Sequence, residues 1–202
     1  MPREIAAEEL ALSFSAMYLD PAPFAYIPTI EASAAEIRTE CLALPANTFD
    51  PWVQREMYGT GWDVYGLLAW GHILPASQRT CPATTAMLKR IPGVQTAGFS
   101  LLRPGTHIMP HCGWVTNVYR IHLGLMIPEN CAMTVAGETK TWQEGRCLIF
   151  DDTSLHESWN RSGTDRFVLL IDVLRPDCKP LSGDAMPIEV RQMLAEKLRA
   201  QD

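Results

Sequence analysis

Between residues 118 and 127 the chain alternates strictly, with Tyr119, Ile121, Leu123, Leu125 and Ile127 on one side and Arg120, His122, Gly124 and Met126 on the other. A two-residue repeat is the mark of a strand with two unlike faces, so Arg120 and His122 point the same way. Residues 166–174 repeat the pattern, setting Arg166, Val168, Leu170 and Asp172 opposite Phe167, Leu169, Ile171 and Val173. Residues 139–142, the Glu144-Gly145 turn and residues 147–150 read as strand, turn and strand. This regime begins at Val94. Before it the chain reads as helix and loop: residues 32–44 place Ile37, Cys41, Leu42 and Leu44 at helical spacing behind Thr29 and Glu31 as starting signals, and residues 84–90 make a second short helix ending at Pro92-Gly93. Residues 45–62 mix Pro45, Pro51, Gly59 and Gly61 with Trp52, Tyr58 and Trp62, a punctuated aromatic segment suited to wrapping over a fold and lining a pocket mouth. A closing amphipathic helix is expected over 184–201, started by Asp184 and Pro187 and carrying Ile188, Met193, Leu194 and Leu198.

Short strands separated by turns favour a sandwich or barrel. A length of 202 residues fits one domain with a substantial core, divided as a helical and loop part over 1–93, a β-rich core over about 94–176 and the terminal helix. The basic residues are scattered and outnumbered by acidic ones, 17 against 23, so no nucleic-acid footprint is present and a small-molecule partner is expected. Six cysteines without a Cys-x-x-Cys pair argue against a zinc cluster and a thioredoxin-like redox pair, and point to reduced thiols in the cytoplasm. The acidic start of the chain does not fit a signal peptide, and no apolar run is long enough to span a bilayer.

The chemistry concentrates in residues 100–176. His111 lies in Pro-His-Cys-Gly and His156 follows an acidic turn, so both sit at strand ends, where a rigid sheet can display ligands. Arg120, His122 and Arg166 lie on strands. Neutral imidazoles suit iron, zinc, copper or nickel, while guanidinium matches a carboxylate or phosphate through its planar fork, so the set reads as a metal beside an anion site. His107 and His111 have the spacing of a helical zinc pair, but Gly105 and Pro110 break that helix and Ile108 stands where a zinc protease needs Glu. An inward Arg120 needs a partner, and a buried salt bridge with Asp172 or Glu157 competes with a ligand role. Asp151-Asp152 reads as a capped, solvated acidic turn rather than a ligand pair. Cys112, pointing away from His111, gives little support to nucleophilic catalysis.

Taken in order, Ser100, Arg-Pro-Gly-Thr-His and Pro-His111, Asn117-x-x-Arg120-x-His122-Leu-Gly-Leu, Gly137-Glu-Thr, Trp142-x-Glu-Gly, Phe150-Asp-Asp-x-x-x-His156-Glu and Arg166-x5-Asp172-Val-x-Arg-Pro176 resemble the aspartyl/asparaginyl beta-hydroxylase family over residues 62–176. The resemblance implies a double-stranded β-helix, or jelly roll, using Fe(II), 2-oxoglutarate and O2, and yielding succinate and CO2 with hydroxylation of a C–H bond. Carried onto this chain, it makes His111 and His156 the iron ligands and Ser100 and Arg166 the partners of the distal 2-oxoglutarate carboxylate. Arg120 and His122 become a cationic pair for cosubstrate and substrate carboxylates, and Trp62 a cosubstrate-lining residue, with Trp70 as the other candidate. Most non-haem iron oxygenases carry a carboxylate two residues after the first histidine. Here that position is Gly113, and the family it resembles also lacks that ligand. Halogenating enzymes of the wider superfamily lack the same carboxylate, which leaves halogenation as one alternative and a non-enzymatic jelly-roll binding module as another. The implied substrate is anionic or amino-acid-like, free or bound to a peptide or carrier.

Overall fold

The structure is a computed structural model that describes residues 18–181 and 187–199. The acidic start of the chain and the cap expected at Asp184 lie outside these residues. In chain order the elements are β1 (Tyr18–Leu19), α1 (Ile27–Ala32), α2 (Ala34–Ala43), β2 (Asp50–Pro51), β3 (Trp62–Ala69), β4 (His72–Ile73), α3 (Pro75–Thr80), α4 (Pro82–Leu88), β5 (Val94–Leu102), β6 (His107–His111), β7 (Val118–Met126), β8 (Cys131–Val135), β9 (Glu138–Lys140), β10 (Cys147–Phe150), β11 (His156–Asn160), β12 (Arg166–Leu174) and α5 (Ile188–Arg199). The larger, eight-stranded sheet runs β1-β10-β7-β12-β5-β3-β2 with β4 on the side of β3, and the smaller, four-stranded one runs β6-β11-β8-β9. This is the jelly-roll architecture, with helices flanking it.

The alternation along β7 and β12 decides what each face does. Ile121, Leu123 and Leu125 of β7 and Leu169, Ile171 and Val173 of β12 share a buried cluster with Ile30 and Ile37 of α1 and α2 and with Leu88 of α4. The helices therefore cover one face of the larger sheet. The opposite face meets the smaller sheet through a second cluster that includes Tyr18, Met133, Val135, Trp142, Phe150 and Val168. Arg120, His122 and Arg166 fall on this inner face because they alternate with the helix-facing residues.

Three sequence expectations change. Strand structure does not start at Val94: β3 pairs with β5 from Trp62↔Leu102 to Ala69↔Thr96, and an irregularity between Gly66 and Leu68 breaks the alternation that would have revealed it. The helix expected over 32–44 is α2 alone, and Thr29 and Glu31 lie inside the separate α1, which opens with a proline in its first turn. Glu31 is a tether, accepting hydrogen bonds from Arg146 Nη1 at 2.7 Å and the Cys147 N–H at 3.0 Å. The helix expected over 84–90 is α4, joined by an unforeseen α3. The Glu40 carboxylate of α2 caps α4 from outside, accepting from the Ala83 and Thr84 N–H groups at 2.7 and 2.8 Å.

Asn160 ties the sheets together beside the inner cluster. Its fully buried amide donates to the carbonyls of Leu102 on β5 and Thr164, while its oxygen accepts from the Cys131 thiol of β8 and from Ser162. Asn160→Ala strands several of these groups together, so urea unfolding should show a loss of about 2–4 kcal/mol.

Candidate active site

His111 closes β6 and His156 opens β11, and antiparallel register makes them direct partners with ring centroids 4.1 Å apart. Each donates its Nδ1 hydrogen to a main-chain carbonyl two residues back, Met109 at 2.8 Å and Ser154 at 2.8 Å. That fixes the tautomer and leaves each Nε2 with a free lone pair. Burial lowers the pKa of His111, and burial followed by the neighbouring His111 pushes that of His156 down to about 3. Both rings are therefore neutral near pH 7, the state a metal needs. Among the described residues no set of three His, Cys, Asp or Glu side chains is arranged around a metal. The donors fit a metal held by two imidazoles, with other positions left to small ligands.

Asp152 accounts for the glycine at 113. It is 1% exposed, and a Cβ built on Gly113 would lie 1.7 Å from its Oδ2. The Gly113 N–H donates to the Asp152 carbonyl at 2.7 Å. The carboxylate thus fills the room that a side chain at 113 would occupy, and its Oδ1 lies 3.4 Å from His156 Nε2. Sequence reading took Asp151-Asp152 as a solvated turn, and this is true of only one of them. Asp151 caps Thr153 and pairs with Arg175, whereas Asp152 turns inward. Burial raises the Asp152 pKa to about 6, with Arg120 opposing that rise.

Arg120 completes this chain of charges. Its Nε and Nη2 form a fork on Asp172 at 2.8 and 3.0 Å, its Nη1 reaches Asp152 at 2.5 Å, and Thr96 Oγ1 adds a 2.6 Å bond to Asp172. The salt bridge that competed with a ligand role is present. Three of the five guanidinium N–H groups are committed, which leaves two for other acceptors. Glu157, the other proposed partner, pairs instead with His107 at 2.6 Å.

Arg166 has the opposite environment. It is 2% exposed, its Nε has no hydrogen-bond partner, and its guanidinium lies 5.0 Å from the ring centroid of Trp142. Among the described residues no carboxylate pairs with it, and burial draws its pKa down to about 10. His122 is also held neutral, by burial and then by the Arg166 and Arg120 charges. Its Nδ1 accepts from Trp142 Nε1 at 3.3 Å, so its proton sits on Nε2, which is buried without a partner. Two unmet donors thus accompany one inner face. The Phe150 ring, 5.2 Å from His122 and 5.4 Å from His156, connects them to the histidine pair. Ser100 accepts from Trp62 Nε1 at 3.1 Å, while Trp70 packs in the separate cluster of Val115, Val118 and Leu181.

The sequence model described as Aspartyl/Asparaginyl beta-hydroxylase matches residues 31–176, more than half of the chain. The chain belongs to the aspartyl/asparaginyl beta-hydroxylase family. An ornithine lipid ester-linked acyl 2-hydroxylase of Rhizobium tropici is 41% identical over 120 residues, covering 58% of this chain and 43% of the relative. The human aspartyl/asparaginyl beta-hydroxylase is 36% identical over 134 residues, covering 62% of this chain and 17% of the relative. This family member therefore spans less than half the length of either. A prolyl hydroxylase of Trichoplax adhaerens, solved with a hypoxia inducible factor oxygen degradation domain peptide fragment, superposes with TM-score 0.50 at 12% identity over 71% of this chain and 78% of that one, a likeness of fold.

Any side chain at 113 must displace Asp152. Gly113→Ala is expected to cost about 1–3 kcal/mol of stability, the range for overpacking, and to weaken metal binding by shifting His156. Differential scanning calorimetry and metal titration of the same sample check both effects.

Proposed function

We propose that this chain is a non-haem Fe(II)- and 2-oxoglutarate-dependent hydroxylase. The observation that carries the reading is the pair of unmet buried donors, Arg166 Nε–H and His122 Nε2–H. Leaving a guanidinium buried and unpaired costs several kcal/mol, on the order of 3–5, and a dianion delivered to the site offsets that cost. His111 and His156 hold the metal. Arg166, with Ser100, takes the distal carboxylate of 2-oxoglutarate; His122 and the two uncommitted N–H groups of Arg120 serve the carboxylate nearer the metal. Trp62, bonded to Ser100, forms the adjoining wall.

Iron, 2-oxoglutarate and O2 together supply the chemistry, the oxidative decarboxylation to succinate and CO2 that drives oxygen insertion into a C–H bond. The protein contributes the rest. It aligns the anions through fixed donors, keeps both ligand imidazoles deprotonated at Nε2, and places the Asp152 carboxylate beside Gly113. That carboxylate also argues against halogenation, since a halide next to it would meet a like charge.

The relatives are named for an acyl chain of a lipid and for aspartyl and asparaginyl residues. A small anionic or amino-acid-like substrate, free or on a carrier, is the corresponding class for this chain, without nucleic acid or membrane as a partner. No helix of the described residues is long and apolar enough to cross a membrane. All six cysteines are unpaired, which supports a reducing compartment, the cytoplasm.

Arg166→Met separates binding from folding. Removing an unpaired buried charge should leave the melting temperature of the ligand-free protein unchanged or higher, while 2-oxoglutarate affinity falls by roughly 2–5 kcal/mol and iron binding is retained. Calorimetric titration of cosubstrate, together with succinate formation in the presence of Fe(II) and O2, reads the outcome. Undiminished affinity and succinate yield in this variant would refute the proposed anchor.

A further inference from the structure

Residues 141–146 are pinned against β7 just beyond His122. The Gly145 N–H donates to the Gly124 carbonyl at 2.8 Å, the Gly124 N–H donates to the Arg146 carbonyl at 3.1 Å, and the Glu144 carboxylate accepts from the Ile127 N–H at 3.0 Å. The approach is close enough to require glycine, since a Cβ on Gly124 would lie 2.4 Å from the Gln143 carbonyl oxygen. The His122-Leu-Gly124 and Trp142-x-Glu144-Gly145 motifs are thus two halves of one contact, and that contact delivers the Trp142 ring, 3% exposed, to the inner face.

There the ring meets both unmet donors of the anion site and uses up neither. Its Nε1–H donates to His122 Nδ1 at 3.3 Å, and the two ring planes are inclined by only 21°, so hydrogen and lone pair face each other edge to edge. An indole N–H can donate and cannot accept. It therefore admits only the imidazole with a bare Nδ1, and the proton is left on Nε2, where no partner meets it. A carboxylate in the place of the indole would enforce the reverse, and the lone pair of Nε2 would then face an incoming anion. The Arg166 guanidinium lies 5.0 Å from the centroid of the same ring. A ring face attracts a cation through its quadrupole and occupies none of the N–H groups, whereas a carboxylate would occupy the fork.

We propose that Trp142 is a positioning residue of the anion site, holding His122 as an Nε2–H donor with its own N–H and seating Arg166 with its ring, so that both donors stay open to the carboxylates of one ligand. The proposal rests on the hydroxylase reading only for the identity of that ligand, 2-oxoglutarate. Trp142 acts through these two side chains and not on the reacting atoms.

The first measurement needs no ligand. Long-range nitrogen-15 correlation spectra of the metal-free protein, to which five histidines contribute, report which ring nitrogen of His122 bears hydrogen, and His122→Gln identifies its signals. The wild type should show a single form, protonated at Nε2. Trp142→Phe keeps an aromatic face beside Arg166 and removes the N–H, so His122 should divide between both tautomers while 2-oxoglutarate affinity falls roughly five- to tenfold, the worth of one hydrogen bond. Trp142→Leu removes the ring face as well and should lose about a further threefold. Fe(II) affinity should be unchanged in both, with circular dichroism establishing that each is folded. In a His122→Ala background Trp142→Phe should alter the cosubstrate affinity no further, because its effect passes through the imidazole. A wild type protonated at Nδ1, or mixed, overturns the proposal whether or not the variants fold. So does a Trp142→Phe protein with an unchanged His122 spectrum, or one whose affinity loss is the same with and without the imidazole. A wild type that shows the single Nε2–H form yet takes up no 2-oxoglutarate refutes the cosubstrate reading and upholds the setting of His122 by Trp142.

Discussion

A guanidinium enclosed by the two sheets, with no carboxylate among the described residues to meet it, is the constraint on which this site depends. Arg166 is placed inward by the alternation of β12, whose intervening residues Phe167, Leu169 and Ile171 pack toward the helices. Turning Arg166 outward would require slipping the strand by one residue, which would carry that whole apolar row to the wrong face. The charge is therefore fixed by the core. Near it lie the Trp142 ring, the neutral His122 and Cys131, none of them a carboxylate, so the fold carries an electrostatic cost that an anion placed there would relieve.

Arg120 shows how differently the same side chain is used one strand away. Asp152 and Asp172 outweigh the effect of burial and raise its pKa, so it stays charged whether or not a ligand is bound. Its fork on Asp172 joins β7 to β12 in register, and its contact with Asp152 links that pair to His156. One arginine organises the side of the site that carries the histidine pair, while the other has no carboxylate partner among the described residues. The orphaned Nε2–H of His122 lies on the same strand face as Arg120, and its neutrality follows from burial and the charges on both sides.

The strict period of β7 and β12 made their faces, and with them the shared direction of Arg120 and His122, legible from residue order alone. The strand ends carrying His111 and His156 were equally visible through the proline before one and the acidic turn before the other. β3 was hidden because its alternation breaks at the Gly66–Leu68 irregularity and it ends in an apolar run. Asp152 was hidden for another reason: adjacent aspartates at a turn look alike in sequence, and only packing separates Asp151, which caps Thr153, from Asp152, which enters the space above Gly113. The glycine was the available signal. A glycine two places after His111 leaves room that some other side chain must fill. The partners of Arg120 lie on separate elements, so their choice between Asp172 and Glu157 came only with register.

The most direct test of the account is an anaerobic titration of the protein with Fe(II) and 2-oxoglutarate, followed by visible absorption. The account predicts a charge-transfer band that develops only when both are present and saturates at one equivalent of each, as expected if the cosubstrate meets an iron held by His111 and His156. A protein that takes up both and shows no such band, or shows no uptake of 2-oxoglutarate at all, would contradict it.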